Sequence, residues 1–255
     1  MDYLLLCVLG LLGSYGLNIL YVSVFYHRAL THRAVTIQPW LRKIVLETGN
    51  WVTGIDPKGW VCMHRLHHKY SDTNRDPHSP LTSGIWRVLP MQLHSYKRAL
   101  RGLVVGDRKY TSMVPDLDFP VSWLNRRKVW YLPYVLHAFL AICVGVFFQA
   151  WLLAACYWLG MMSHPVQGWM VNALSHRYGY RNFATDDHSK NNLMVAWLVF
   201  GEGFQNNHHH NPTAANFAVK WWEIDLGYAL TWTLIRLGLL QRASVAGFPK
   251  IGSWQ

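Results

Sequence analysis

Polar and apolar positions are segregated along this chain in blocks longer than a soluble helix requires. Tyr3 to Tyr26 carries no charged side chain over 24 residues, and Val129 to His176 carries none over 48. At about 1.5 Å rise per residue, a helix of about 20 apolar residues crosses a hydrocarbon core about 30 Å thick. The first block predicts one span, over 3–26. The second is too long for one and suits two, over 129–148 and 151–172, joined near Phe148, Gln149 and Ala150. Pro165 is expected to kink the return helix, with neighbouring polar groups taking up the freed carbonyl. A secretory signal needs a basic segment ahead of its apolar run; Asp2 stands there instead, so the first span is expected to be retained.

Elsewhere the pattern is mixed. Gln38 to Met63 alternates Trp and branched aliphatics with Arg42, Lys43, Glu47 and Lys58, which suits a helix lying at a membrane interface, broken by a turn at Asp56-Pro57-Lys58-Gly59. Ser71 to Ser83 reads as a loop and Arg87 to Lys128 as a basic connector. Leu193 to Phe200 is too short to cross a bilayer, and Trp221 to Leu240 predicts a second interfacial helix. The expected fold is all-α: one integral membrane domain over 1–255, with three transmembrane helices and a helical cap made of 27–128 and 173–255.

Charge places the cap. All 24 Lys and Arg fall between Arg28 and Lys128 or after His176. Cytoplasmic loops carry the excess of Lys and Arg, so the cap is expected in the cytosol, at a bacterial inner membrane or the endoplasmic reticulum, with Met1 on the far side. The net charge of +11 does not indicate nucleic acid, because a charge-free stretch of 48 residues has no use in a soluble nucleic-acid binder. Anionic headgroups or a phosphate-bearing substrate account for it better. Four cysteines without a CxxC pair predict reduced thiols.

Candidate chemistry lies in histidine. In His64-Arg65-Leu66-His67-His68 the three imidazoles stand at i, i+3 and i+4, one stripe of a helix. Gln205, His208 and His209 repeat that spacing, with His210 one residue beyond. Asn172 and His176 are four apart at the end of the return helix, where Asn172 could hold a metal-bound water or orient a ligand. His27 and His32 are five apart, about 140° on an α-helix, so the helix is expected to end soon after His27, leaving His32 on a turn. Each group alone has a plain alternative: an exposed polar face, interfacial histidines, a helix-end hydrogen bond. Together they bring His27, His32, His64, His67, His68, His176, His208 and His209 to one membrane face, enough nitrogen for two metal ions. Imidazole suits iron, zinc and copper alike.

The stretches HRALTH, HRLHHKYSDTNRDPH, NALSHRYGYR and GEGFQNNHHHNP, in this order and spacing, resemble the membrane fatty-acid desaturases, most closely the stearoyl-CoA type. The resemblance covers nearly the whole chain. It implies a di-iron centre that uses O2 and two external electrons to form a cis double bond in a long-chain acyl-CoA, at position Δ9 by resemblance alone. It implies the eight histidines as iron ligands and Asn172 acting through a water. Where the family's third group begins with histidine, this chain has Gln205, which could bind through its carbonyl oxygen, act through water or leave a position open. The family usually has four spans, so one helix is expected to be missing ahead of the first histidine group. An acyl-lipid desaturase or a hydroxylase on the same centre, or a membrane metal transporter, are the other readings.

A long apolar substrate needs a tunnel. Ile19 lies on the α-helical stripe of His27, and with Tyr15 nearby is expected to limit the acyl tail; Trp169 is expected to shape the passage from the other side. Arg65, Lys69, Arg75 and the Lys97/Arg98/Arg101 cluster are candidates to meet a phosphate-bearing carrier. Asp72 and Asp76 are candidate acceptors for ligand histidines. His78, His94, His137, His164 and His188 receive no role. No haem or cluster motif is present, so electrons are expected from a separate cytochrome b5, ferredoxin or similar donor.

Overall fold

The computed structural model describes residues 2–243; Met1 and the last part of the expected cap, 244–255, lie outside the described residues. The amino-terminal apolar run folds as one helix, Tyr3–Thr31, and among the described residues it alone is long and apolar enough to cross a membrane. Asp2 starts it by accepting the Leu4 N–H at 3.0 Å. From Leu20 to Thr31 the helix is wound as a π-helix, with bonds from i to i+5.

The expected hairpin folds as Leu132–Phe147 and Trp151–Met161. At about 1.5 Å per residue these run about 24 Å and about 17 Å, shorter than the 129–148 and 151–172 spans read from the sequence. The return run breaks at Met162 and Ser163 and resumes as His164–Trp169, with Pro165 in its first turn, followed by a π-helical turn Met170–Leu174. Proline is tolerated at a helix start because its missing N–H would be unpaired there, so the expected kink is a break just ahead of Pro165. The first helix packs against Trp151–Met161, and that helix against Leu132–Phe147. Leu4, Leu5, Leu9, Phe139, Phe147 and Leu159 are exposed on the outward sides of this layer. Outward faces of such apolar composition call for a cover other than water.

The cap is built on Pro39–Thr53, Pro57–Tyr70, Val88–Val105 and Leu226–Arg236. Gly54, at φ 72°, closes the first of these in the left-handed conformation. Asp56 then caps the next by accepting the Gly59 N–H at 2.9 Å, with Pro57 in the first turn. That turn aims the helix bearing His64, His67 and His68 back at the first helix, and Val24, Phe25, Val61, Cys62 and Leu66 form the core between them. Three expectations change. The stretch Arg87 to Lys128, read as a basic connector, contains the 18-residue helix Val88–Val105. The helix read over Trp221 to Leu240 narrows to Leu226–Arg236, because Asp225 caps it by accepting the Tyr228 N–H. Leu240–Arg242 instead pairs antiparallel with Val35–Ile37, Val35 opposite Arg242, a small strand pair in an otherwise helical protein.

Arg28 joins the two ends of the chain. Its side chain is fully buried, donating to Glu202 Oε1 at 2.7 Å, to Asp225 at 2.9 and 3.0 Å and to the Ala215 carbonyl at 2.9 Å, with Phe217 beneath it at 4.0 Å. Removing one partner of a buried ion pair leaves the other charge uncompensated, which costs about 3–5 kcal/mol. Arg28→Met is therefore expected to lower the thermal midpoint of the detergent-solubilised protein sharply; an unchanged midpoint would contradict this account of the core.

Candidate metal centre

The π-helical winding brings the first histidine pair together. The His32 N–H donates to the His27 carbonyl five residues back at 3.1 Å, and the two rings stand 4.8 Å apart. The sequence expectation assumed α-geometry and so ended the helix early; the wider turn carries it to Thr31 with His32 as its cap. The stripe on Pro57–Tyr70 supplies His64 and His68, and the short helix Gln205–His210 supplies His208. His64 Nε2 lies 3.1 Å from His32 Nε2 and 3.0 Å from His68 Nε2, while His208 Nε2 lies 3.0 Å from His68 Nε2 and 3.1 Å from His27 Nε2. Five imidazoles thus converge, their nitrogens within 4.8 Å of one another.

A second group forms from His67, His176 and His209 under the same distance limit. Each keeps a buried Nε2 without a partner. Each has its Nδ1 against a carboxylate: His67 on Asp76 at 3.0 Å, His176 on Asp72 at 2.9 Å, His209 on Asp187 at 2.5 Å. A carboxylate on Nδ1 fixes the tautomer and leaves the Nε2 lone pair free, the arrangement that orients metal-binding histidines.

Electrostatics fits a nest for cations. Burial, then repulsion among the imidazoles, holds His32, His64, His68 and His208 well below the ordinary histidine range. Burial likewise pushes His209 down to about 4 against the pull of Asp187. His67 goes the other way: burial lowers it, but Asp76, with Asp72 and Asp187 behind, outweighs this and raises it. Burial raises Asp72, and its bond to His176 outweighs that, leaving it at about 2.

These contacts also test whether a metal fits. A neutral imidazole Nε2 has a single site, N–H or lone pair. His64, His68 and His208 each meet two other Nε2 atoms, so hydrogen bonds among the rings cannot satisfy them all. Metal–nitrogen bonds of about 2.0–2.1 Å place adjacent ligand nitrogens about 3 Å apart, the separation found here. The residues fit a metal ion in each group.

Beside the five-histidine group lies a cavity of about 120 Å³, with His27, His64, Glu202 and Gln205 in its wall and Val22, Ile55, Met63 and Val171 among its apolar lining. Glu202 escaped the sequence reading although it sits inside GEGFQNNHHHNP. Its carboxylate lies 2.7 Å from His27 Nδ1 and accepts from Ser23 Oγ at 2.5 Å and from Arg28. Asp187 was missed as well, having only its proximity to His176 and His209 in sequence as a signal. Gln205 donates to the Glu202 carbonyl at 2.8 Å and lines the cavity. Asn172 donates to Gln92 Oε1 at 3.3 Å on the same wall and has no hydrogen bond to the histidines among the described residues.

Four expected substrate residues are placed differently. Ile19 is buried and Tyr15 donates to the Leu198 carbonyl at 2.6 Å; neither lines the cavity, whose wall carries Val22 instead. The α-helical stripe loses phase where the π-winding begins, and Val22, five residues before His27, takes the inward position. Trp169 stacks on Trp86 and donates its indole N–H to the Ile85 carbonyl at 2.9 Å, outside the wall. Arg65 is buried, and its guanidinium is engaged by Asp116 and by the carbonyls of Leu30, Thr31 and Met113, which withdraws it from a carrier's phosphates.

The class these features define is a helical protein with two imidazole nests backed by carboxylates. The chain belongs to the fatty acid desaturase family, whose model matches residues 3–240. It is 34% identical over 240 residues to a hex-5-enoyl-[acyl-carrier protein] acetylenase of Moorena producens, covering 90% of this chain and 74% of that one. It is 33% identical to an acyl-CoA 5-desaturase of Anemone leveillei, covering 92% and 68%, and 30% identical to an sn-1 stearoyl-lipid 9-desaturase of Anabaena variabilis, covering 88% and 79%.

The carboxylate behind His209 gives a direct check. Loss of such a partner typically weakens metal binding about 10- to 100-fold. Asp187→Asn is expected to reduce metal retained per chain after dialysis against a chelator, by plasma mass spectrometry; retention equal to wild type would contradict the arrangement.

Proposed function

We propose that this protein is an O2-dependent acyl desaturase that removes two hydrogens from adjacent methylenes of a long-chain acyl-CoA, leaving a cis double bond, at the ninth carbon by analogy. The observation that carries this reading is the pair of imidazole nests, the five-histidine one beside a largely apolar cavity. In balance, the acyl chain, O2, two electrons and two protons give the unsaturated chain and two waters. His27, His32, His64, His68 and His208 would hold one iron ion, and His67, His176 and His209 the other. Two irons held there supply the redox chemistry that activates O2.

The chain's own residues do the rest. Val22, Ile55, Met63 and Val171 present an apolar wall that accepts methylenes and excludes water from the reacting carbons. Asp72, Asp76 and Asp187 keep the ligand imidazoles oriented, and Glu202 braces His27 from Arg28. Gln205 and Asn172 sit on the cavity wall, each donating an amide N–H to a neighbouring protein oxygen, which leaves the amide oxygen to meet water or substrate. The exposed apolar faces of Tyr3–Thr31, Leu132–Phe147 and Trp151–Met161 support insertion of these helices in the membrane, with the histidines facing the cytosol. Electrons would come from a docked cytochrome b5, ferredoxin or similar protein.

A second reading keeps the chemistry and changes the carrier. Arg65 is engaged inside the cap, which removes one of the cations expected to meet CoA. The similar proteins include ones named for acyl-carrier-protein and lipid substrates, so a glycerolipid or protein-bound acyl chain is the alternative.

Expression in a desaturase-deficient host, with total acyl chains analysed by gas chromatography and mass spectrometry, separates these from no activity. The wild type is expected to add a double bond and His68→Ala to abolish it. An added oxygen would instead mark a hydroxylase, and no new product from membrane-inserted wild type with a donor supplied would count against the proposal.

A further inference from the structure

Two imidazoles on the cavity wall belong to neither nest. His78, in the loop after the second histidine group, is 1% exposed and neither ring nitrogen has a partner. His164 lines the same cavity with Nδ1 buried and unpartnered. The amides around them are engaged: Gln92 donates to the Pro165 carbonyl at 2.8 Å, Asn172 to Gln92 at 3.3 Å and Gln167 to Ser163 Oγ at 2.7 Å. Trp169, another donor in this region, is taken by Ile85. Buried polar groups are almost always paired, and one left over in a cavity wall has room for a water, an ion or a ligand to complete its bonding.

His78 lies outside the set His67, His176 and His209; with His67 and Asp76 it forms a third group whose nitrogen and oxygen atoms lie within 4.8 Å of one another, in which Asp76 is already engaged by His67 Nδ1. Its ring stacks on that of His67 at 4.6 Å and 26°. Its position is nevertheless tied to that ligand. The His78 backbone N–H donates to Asp76 Oδ1 at 3.0 Å, and the same carboxylate holds His67 Nδ1. One carboxylate thus sets the spacing between the unpartnered ring and the nest.

An acyl chain enters such a cavity with one strong acceptor, its carbonyl oxygen, and that atom is shared by thioester and ester carriers. A neutral imidazole always keeps one N–H to give. We propose that His78 donates this hydrogen to the substrate's acyl carbonyl, so that Asp76 holds the carbonyl end and the metal nest in register and the double bond is placed by counting from that end. The inference rests on the desaturase reading.

The test uses the full chain in the desaturase-deficient host, with double-bond position determined by mass spectrometry of derivatised acyl chains and metal counted per purified chain. His78→Phe and His78→Ala are expected to reduce product roughly 3- to 10-fold, the effect of one lost hydrogen bond, and to scatter the double bond over neighbouring positions with metal content unchanged. His78→Asn, which keeps an N–H, is expected to restore a single position. If the Phe variant does not fold, the Ala variant carries the same expectation. A short pulse of labelled saturated fatty acid, with thioester and glycerolipid pools separated, shows which carrier presents the carbonyl.

Wild-type yield and one position in the folded Phe or Ala variant would overturn the assignment. So would metal loss in those variants, which would make His78 a ligand, or scatter caused by His164→Ala but not by His78 variants. Failure of the underlying reading looks different: wild type itself would form no double bond.

Discussion

The i to i+5 hydrogen bonding of Leu20–Thr31 is the constraint on which the rest depends. An α-helix would send His27 and His32 to faces about 140° apart, and no neighbouring helix could then reach both. The π-winding brings both rings to one side, so that a single stripe of Pro57–Tyr70 and a single short helix at Gln205–His210 complete the group. It also re-phases the helix below, turning Val22 to the cavity in place of Ile19. Local π-segments of this kind are uncommon and concentrate at functional sites.

Holding eight imidazoles out of water requires a surrounding set of acids. Asp72, Asp76 and Asp187 stand behind the three-histidine group, and Glu202 behind His27. Glu202 and Asp225 are in turn balanced by Arg28, which places a fully buried cation one residue from a histidine of the first nest. The first turn of the cap and the carboxyl-terminal third of the chain are therefore one electrostatic unit. In the three-histidine group each Nδ1 faces a carboxylate and each Nε2 is left buried without a partner.

Much of this was legible in the chain. The two uncharged blocks, the turn at Asp56-Pro57-Lys58-Gly59 and the i, i+3, i+4 spacings are local patterns, and they mark the first helix, the histidine stripes and the eight histidines that the structure brings together; the helix Val88–Val105, inside a stretch of mixed charge, carries no such mark and reads as a connector. What was not legible depends on geometry between elements. The division into five and three follows from which helix faces which, and spacing alone does not report it. The π-winding has no periodic signature of its own, so the substrate stripe was assigned to Ile19 and Tyr15. Arg65 reads as an exposed cation until Asp116, far along the chain, is found beneath it. The shortened Trp151–Met161 and the pairing of Leu240–Arg242 with Val35–Ile37 are likewise tertiary choices.

Whether the nests hold two metal ions through nitrogen is decided by metal analysis of the intact protein purified without added metal chelators, combined with X-ray absorption at the edge of the metal found. Two iron ions per chain are expected, with a shell dominated by imidazole nitrogen. One ion or none in an active, folded preparation, or a shell dominated by sulfur or carboxylate oxygen, would contradict that expectation.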